Sequence, residues 1–309
     1  MKPSFAAAIA LVGAVVLFGT HSALSAGQRP AFRASVDLVS LNVTVVDGAG
    51  HYVTDLDQPD FLVFEDGVKQ ELSFFNRRQQ KLALSLLLDS SASMEDKLPL
   101  LQAAATNFVR RMKADDLAQV IDFDSRVEVR KAFTTSQQEL EGAILQTQAG
   151  GSTSLYNAIY VSLKEMRKMQ TLNEDDVRRQ ALIVFSDGED TSSLISFEEV
   201  LDLAKRSQTS IYTIGLRGND TQTRGFREAE YVMRQLASET GGRSFFPNRA
   251  DELTGVYNQI ADELASQYTM GYQSRNSRRD GAWRRLVVQI TRPNVIPRTK
   301  KGYYGPTTN

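Results

Sequence analysis

Carboxylates and hydroxyls recur together at three points of this chain. Asp89-Ser90-Ser91-Ala92-Ser93 sets one carboxylate and two hydroxyls at alternate positions, directly after the apolar run Leu86-Leu87-Leu88. Gly150-Gly151-Ser152-Thr153 carries a further hydroxyl on a glycine turn, ahead of an amphipathic stretch that begins near Leu155. Ile183-Val184-Phe185-Ser186-Asp187-Gly188 is another apolar run that ends in a carboxylate. The three stretches supply only oxygen: two carboxylates and three hydroxyls. A hard divalent cation wants that set and keeps waters in its remaining positions, Mg2+ first, with Mn2+ or Ca2+ as further ions of the same kind. Alone, Asp-x-Ser-x-Ser is also a turn followed by a helix N-cap, because Asp and Ser favour both. Its place at the end of an apolar strand, together with Thr153 and Asp187, favours the metal site.

Composition closes off most other chemistry. There is no cysteine in the 309 residues, which removes disulfides, thiolate metal sites and cysteine nucleophiles together. Only His21 and His51 could act as imidazole bases, so a Ser-His-Asp triad is nearly excluded. The 36 basic and 37 acidic side chains give a net charge of −1, unlike a nucleic-acid binder that is basic throughout. Hydrophobic residues make up 41%, enough for a packed core.

The elements that would hold these residues are legible from periodicity. Leu82 to Leu88 is almost continuously apolar, as a central parallel strand covered on both faces must be. Val120, Ile121 and Phe123, then Ala181 to Phe185, then Ile211, Tyr212 and Ile214 read as further strands. Between them lie stretches of helical spacing: 98–112, 155–169, a helix capped by Ser196, 226–239 ending at Gly241-Gly242, and 251–265. Strand-helix alternation over 82–265 predicts a doubly wound, mostly parallel α/β sheet, with ligands at the carboxyl edge of its strands.

Both flanks read as antiparallel β. In 31–80, Leu41, Val43 and Val45 alternate with Asn42 and Thr44, and Asp47-Gly48 and Asp66-Gly67 are hairpin-type turns. In 267–305, Leu286, Val288 and Ile290 alternate with Val287 and Gln289, and Arg275, Arg278 and Arg279 mark a polar hairpin loop. The segment from Ser274 to Gly305 is strongly basic, whereas 31–80 is acidic. An anionic-surface patch is one reading of that contrast. The favoured one is that both chain ends pair into one small β module whose charges complement each other, since neither end has strands enough for a stable sheet. Residues 1–26, with Lys2, an apolar run and a small-residue tail, read as a cleaved secretory signal peptide.

The middle zone resembles the von Willebrand factor type A domain, whose metal-ion-dependent adhesion site is built from this pattern. By that resemblance Asp89, Ser91 and Ser93 form the first ligand loop, Thr153 the second and Asp187 the third. Members of the family typically complete the coordination with a carboxylate from the bound partner. Ser152 directly precedes the threonine and competes with it, but Thr153 better fits the Leu-Tyr-x-Ala stretch that follows. The flanks, with Val43-Thr44-Val45-Val46-Asp47, Phe64-Glu65-Asp66-Gly67-Val68 and Lys301-Gly302-Tyr303-Tyr304, resemble exported bacterial proteins of the acidobacterial type A-related kind.

The expectation is therefore an exported module, periplasmic or extracellular, that binds a protein carrying an exposed Asp or Glu through a divalent cation. Ser152, Glu189 and Asp190 would rim that site, and neither catalysis nor nucleic acid is expected. Two alternatives stand beside it. One is an envelope scaffold with a structural metal site. The other is a metal-assisted hydrolase, for which the sequence offers no histidine base and no second ligand cluster.

Overall fold

The computed structural model describes residues 38–77, 80–172, 177–186, 189–216 and 224–308. The signal peptide expected over 1–26 lies outside them. Among the described residues no helix is long and apolar enough to cross a membrane.

The chain opens with β1 (Leu38–Asp47), β2 (Phe61–Glu65), β3 (Val68–Gln70) and β4 (Leu72–Asn76). Alternation sets β1, with Val39, Leu41, Val43 and Val45 buried. Asp66 and Gly67 join β2 to β3 with φ of 48° and 83°. A two-residue type I′ turn needs both values positive, and Asp-Gly adopts them with little strain. Asp47-Gly48 turns a short hairpin: the Asp47 carboxylate accepts the N–H groups of Ala49 and His51 at 2.9 Å each, Val46 bridges to Tyr52, and main-chain bonds join Asp47 to His51 and Val53 to Val45.

The middle of the chain runs β5 (Leu82–Asp89), α1 (Leu98–Arg110), β6 (Leu117–Phe123), β7 (Val127–Thr134), α2 (Gln137–Leu145), α3 (Leu155–Leu172), β8 (Arg179–Ser186), α4 (Phe197–Arg206), β9 (Thr209–Gly215), α5 (Arg224–Thr240), β10 (Ser244–Phe245) and α6 (Leu253–Ser266). These strands form one sheet in the order β10-β9-β8-β5-β6-β7, parallel except for β7. Leu84, Leu86 and Leu88 of β5 pack under α1, α2 and α6, whereas Leu87 packs under α3, α4 and α5. Every residue of β5 and β8 is buried, so these two strands carry the doubly covered apolar runs. Ser196 caps α4 as expected, accepting Glu199 N–H at 3.2 Å while the Glu199 carboxylate takes Ser196 N–H at 2.8 Å. Gly241 ends α5 with φ of 82°.

The chain closes with β11 (Tyr268–Gln273), β12 (Trp283–Ile290), β13 (Val295–Arg298) and β14 (Gly302–Tyr304). They enter two antiparallel sheets, β13-β1-β11-β4 and β14-β12-β2-β3, each of which mixes strands from both chain ends. Val43, Phe61, Tyr268, Met270, Tyr272 and Leu286 share the core between them. The expected polar hairpin loop after β11 is instead a crossover, because β11 pairs with β1 and β4 while β12 pairs with β2 and β14.

The charge complementarity expected of this module is present. Arg275 meets Glu71 at 2.8 Å and Arg292 meets Asp55 at 2.7 Å on the surface. Arg284 meets Glu65 at 3.5 Å with both side chains almost wholly buried. The Glu65 carboxylate also accepts the hydroxyls of Ser274 at 2.6 Å, Tyr272 at 2.7 Å and Tyr303 at 2.9 Å. The module docks on the α/β sheet through Lys205 and Arg206 of α4, which lie 4.0 and 3.9 Å over the rings of Trp283 and Tyr304. Removing one partner of a buried ion pair strands the other charge, so Arg284→Met should lower stability by about 3–5 kcal/mol in denaturant unfolding, with Glu65→Leu in the same chain restoring part of the loss.

Candidate metal centre

Asp89 is the last residue of β5, level with Phe123 of β6, and has no solvent exposure. One carboxylate oxygen accepts the Ser91 N–H at 2.8 Å, which bends the chain away from the strand direction. The other accepts the hydroxyl of Ser186, the last residue of β8, at 2.5 Å. The carboxylate is thus held from its own loop and from the neighbouring strand. Beyond it, the Ser91 and Ser93 hydroxyls lie 3.1 Å apart, the first buried and the second exposed.

Backbone hydrogen bonds stitch the other loops to this one. Gly150 N–H donates to the Ser90 carbonyl at 2.7 Å, and Ala92 N–H donates to the Gly151 carbonyl at 3.1 Å. Ser154 donates its N–H and its hydroxyl to the Asp124 carbonyl at 2.9 and 2.6 Å, tying the start of α3 to the end of β6. Thr191 N–H and Ser192 N–H converge on the Thr153 carbonyl, and Thr153 N–H returns to the Thr191 hydroxyl at 3.0 Å. The Thr153 backbone is fully engaged, while its hydroxyl has no hydrogen-bond partner among the described residues. Gly151, at φ 71°, allows the close approach: a Cβ there would meet the Asp124 carboxylate at 3.0 Å.

The rim residues divide. Ser152 and Glu189 are exposed. Asp190 is half-buried and faces inward, accepting Tyr156 N–H in the first turn of α3 at 3.2 Å and the Ser193 hydroxyl at 2.6 Å. Burial, then the charges of Asp190 and Glu189, push the Tyr156 hydroxyl up to about 12, so it stays neutral at pH 7. Asp122 pairs with Arg130 at 2.9 Å, and burial holds its carboxyl above the usual range in spite of that partner. Asp187, the proposed third ligand, lies outside the described residues, directly after Ser186. The contribution of Ser186 is not assigned from sequence. Ser186 stood in a quoted motif, but nothing in the spacing says that its hydroxyl turns toward a different strand.

The described donors fit a small hard cation. An octahedral Mg2+ with oxygens at 2.0–2.1 Å sets neighbouring ligands about 3 Å apart, close to the 3.1 Å between the two serine hydroxyls. The adjoining carboxylate is buried, and a serine, a threonine and waters are the neutral oxygens such an ion accepts.

The family model for the von Willebrand factor type A domain matches residues 84–259, more than half of the chain. The von Willebrand factor domain of the type V pilus tip protein Mfa5 from Porphyromonas gingivalis is 12% identical, with a TM-score of 0.48 over 60% of this chain and 95% of that one. Proximal thread matrix protein 1 of the mussel byssus is 17% identical, with a TM-score of 0.49 over 63% of this chain and 49% of that one. A von Willebrand factor type A protein from Catenulispora acidiphila is 9% identical, with a TM-score of 0.51 over 89% of this chain and 76% of that one. No curated protein matches the chain by sequence.

Gly151→Ala should test how the loops are held. It forces a side chain into a left-handed backbone and against Asp124, so thermal unfolding should report a loss of about 1–2 kcal/mol.

Proposed function

The chain belongs to the von Willebrand factor type A domain family, and on that premise we propose that it is an exported, metal-dependent protein-binding module rather than an enzyme. Asp89, Ser91, Ser93, Thr153 and Asp187 would hold a divalent cation, Mg2+ fitting best. When bound, the ion supplies a concentrated positive charge with a position open to an outside oxygen. The observation that carries the reading is a buried carboxylate followed by two serine hydroxyls 3.1 Å apart at the carboxyl end of the central strand, where open α/β sheets take their ligands.

The protein's own residues do the rest. Ser91 N–H and the Ser186 hydroxyl fix the Asp89 carboxylate, so little is left to order on binding. Ser93 and Ser152 are exposed beside it and can contact a partner's acidic side chain. The loop between β8 and α4 carries Leu194, 95% exposed, and leads into Phe197, whose ring meets Tyr156 and the exposed Tyr231 at 6.0 and 6.5 Å. An apolar ledge beside a charge-selective centre suits a protein partner better than a small polar substrate. Among the described residues of the site there is no histidine base, and the Ser186 and Ser193 hydroxyls are held by the Asp89 and Asp190 carboxylates.

Titration calorimetry with Mg2+ and Mn2+ should show saturable binding that Asp89→Ala and Asp187→Ala each abolish. Partner capture should then fail in chelator. Capture unchanged by chelator would sink the adhesive reading and leave the ion, if bound, a structural role.

A further inference from the structure

The basic C-terminal segment divides in two. Arg275, Arg284 and Arg292 are matched by acids of the N-terminal segment, Glu71, Glu65 and Asp55. Arg298, Lys300 and Lys301 instead line an open cleft of about 750 Å3 between α5, β10 and the edge of β12. Arg234 and Arg243 join them from the α/β side, and no Asp or Glu is in the lining. Local carboxylates meet three of these cations: Glu230 pairs with Arg234, Glu239 with Lys301 at 3.2 Å, and Glu263 with Arg298. The other two have neutral company. Lys300 donates to the Gln208 amide oxygen at 2.8 Å, and Arg243 lies 4.7 Å over the Phe245 ring.

Two further observations point to a ligand. Arg298 and Thr299 belong to the lining, and behind its surface the Arg298 Nε and the Thr299 hydroxyl make no hydrogen bond. Burial also lowers the Lys300 ammonium to about 8, the direction taken when no nearby carboxylate offsets desolvation.

The backbone of the cleft indicates the ligand's form. β14 pairs with Trp283 to Arg285 only, and the Lys301 carbonyl then takes the Leu286 N–H at 2.8 Å. Past that point β12 has no partner strand on this side among the described residues, and Leu286, Val287 and Val288 wall the cleft. An unpaired strand edge accepts an extended peptide through its main chain, and cations around it select acidic side chains.

We propose that this cleft binds an extended acidic peptide segment of a partner protein, at a site that shares no residue with the metal centre. N-acetyl-hexaglutamate amide, titrated at about 0.1 M salt, should bind saturably with or without Mg2+. Arg243→Ser with Lys300→Gln should weaken binding by about tenfold or more. Arg278→Gln with Arg285→Gln, which removes the same charge outside the cleft, should change it by less than about twofold. Thermal melts establish that each variant folds, and Arg243→Ser alone, at an exposed position, serves should the pair not fold. Equal losses in both pairs, absence of peptide binding, or preference for tripolyphosphate over the peptide would each overturn the proposal.

Discussion

A carboxylate without solvent exposure is tolerable only where its oxygens are claimed, and Asp89 meets that condition at the end of a strand buried along its whole length. The two oxygens are claimed from different directions, by its own turn and by Ser186 of β8. This sets the relative position of two strand ends and gives Ser91 and Ser93 their direction. The loops at Gly150–Gly151, Ser154 and Thr191–Ser192 close around that point by main-chain hydrogen bonds. Main-chain bonds leave side-chain oxygens available, and the Thr153 hydroxyl is one example. A backbone frame thus holds these loops together, with the Asp89 carboxylate inside it and Ser93 at the surface.

The second structural unit obeys a different rule. Its sheets are antiparallel and its strands come from opposite ends of the chain, so side-chain chemistry across the seam must fit strands far apart in sequence. Glu65 and Arg284 do this in the interior, with three hydroxyls satisfying the carboxylate. A buried pair of this kind adds little net stability beyond an apolar alternative, but it penalises any arrangement that leaves one member alone. It therefore specifies which strands meet.

Much of this was readable beforehand, for a definite reason. Burial on two faces makes Leu82 to Leu88 continuous, burial on one face makes Leu41, Val43 and Val45 alternate, and positive φ at two successive positions makes Asp66-Gly67 recognisable. Each of these properties is local. The hydrophobic period states which side of a strand is covered and is silent on its neighbour. Hence the polar segment after β11 read as a hairpin loop, although it crosses between sheets. β7 escaped notice because an exposed edge strand, with Glu128, Arg130 and Lys131 outward, has no apolar run to show. At the candidate metal centre, the oxygens within Asp89 to Ser93 were legible as a motif. Ser186 and the inward turn of Asp190 were not, since each depends on a contact made by a distant segment.

The pairing of β1 with β11 also governs the order in which the molecule can be made. Leu38 faces Gln273 and Val43 faces Tyr268, partners more than two hundred residues apart. A chain emerging from its amino end must present β1, β2 and β4 with open edges while the whole α/β sheet is synthesised and folds. Contacts of such separation form late and slowly, and unpaired apolar strands are where chains associate wrongly. Until β11 is in place the amino-terminal strands therefore keep open edges, and the pairing of β1 with β11 is what closes the β module.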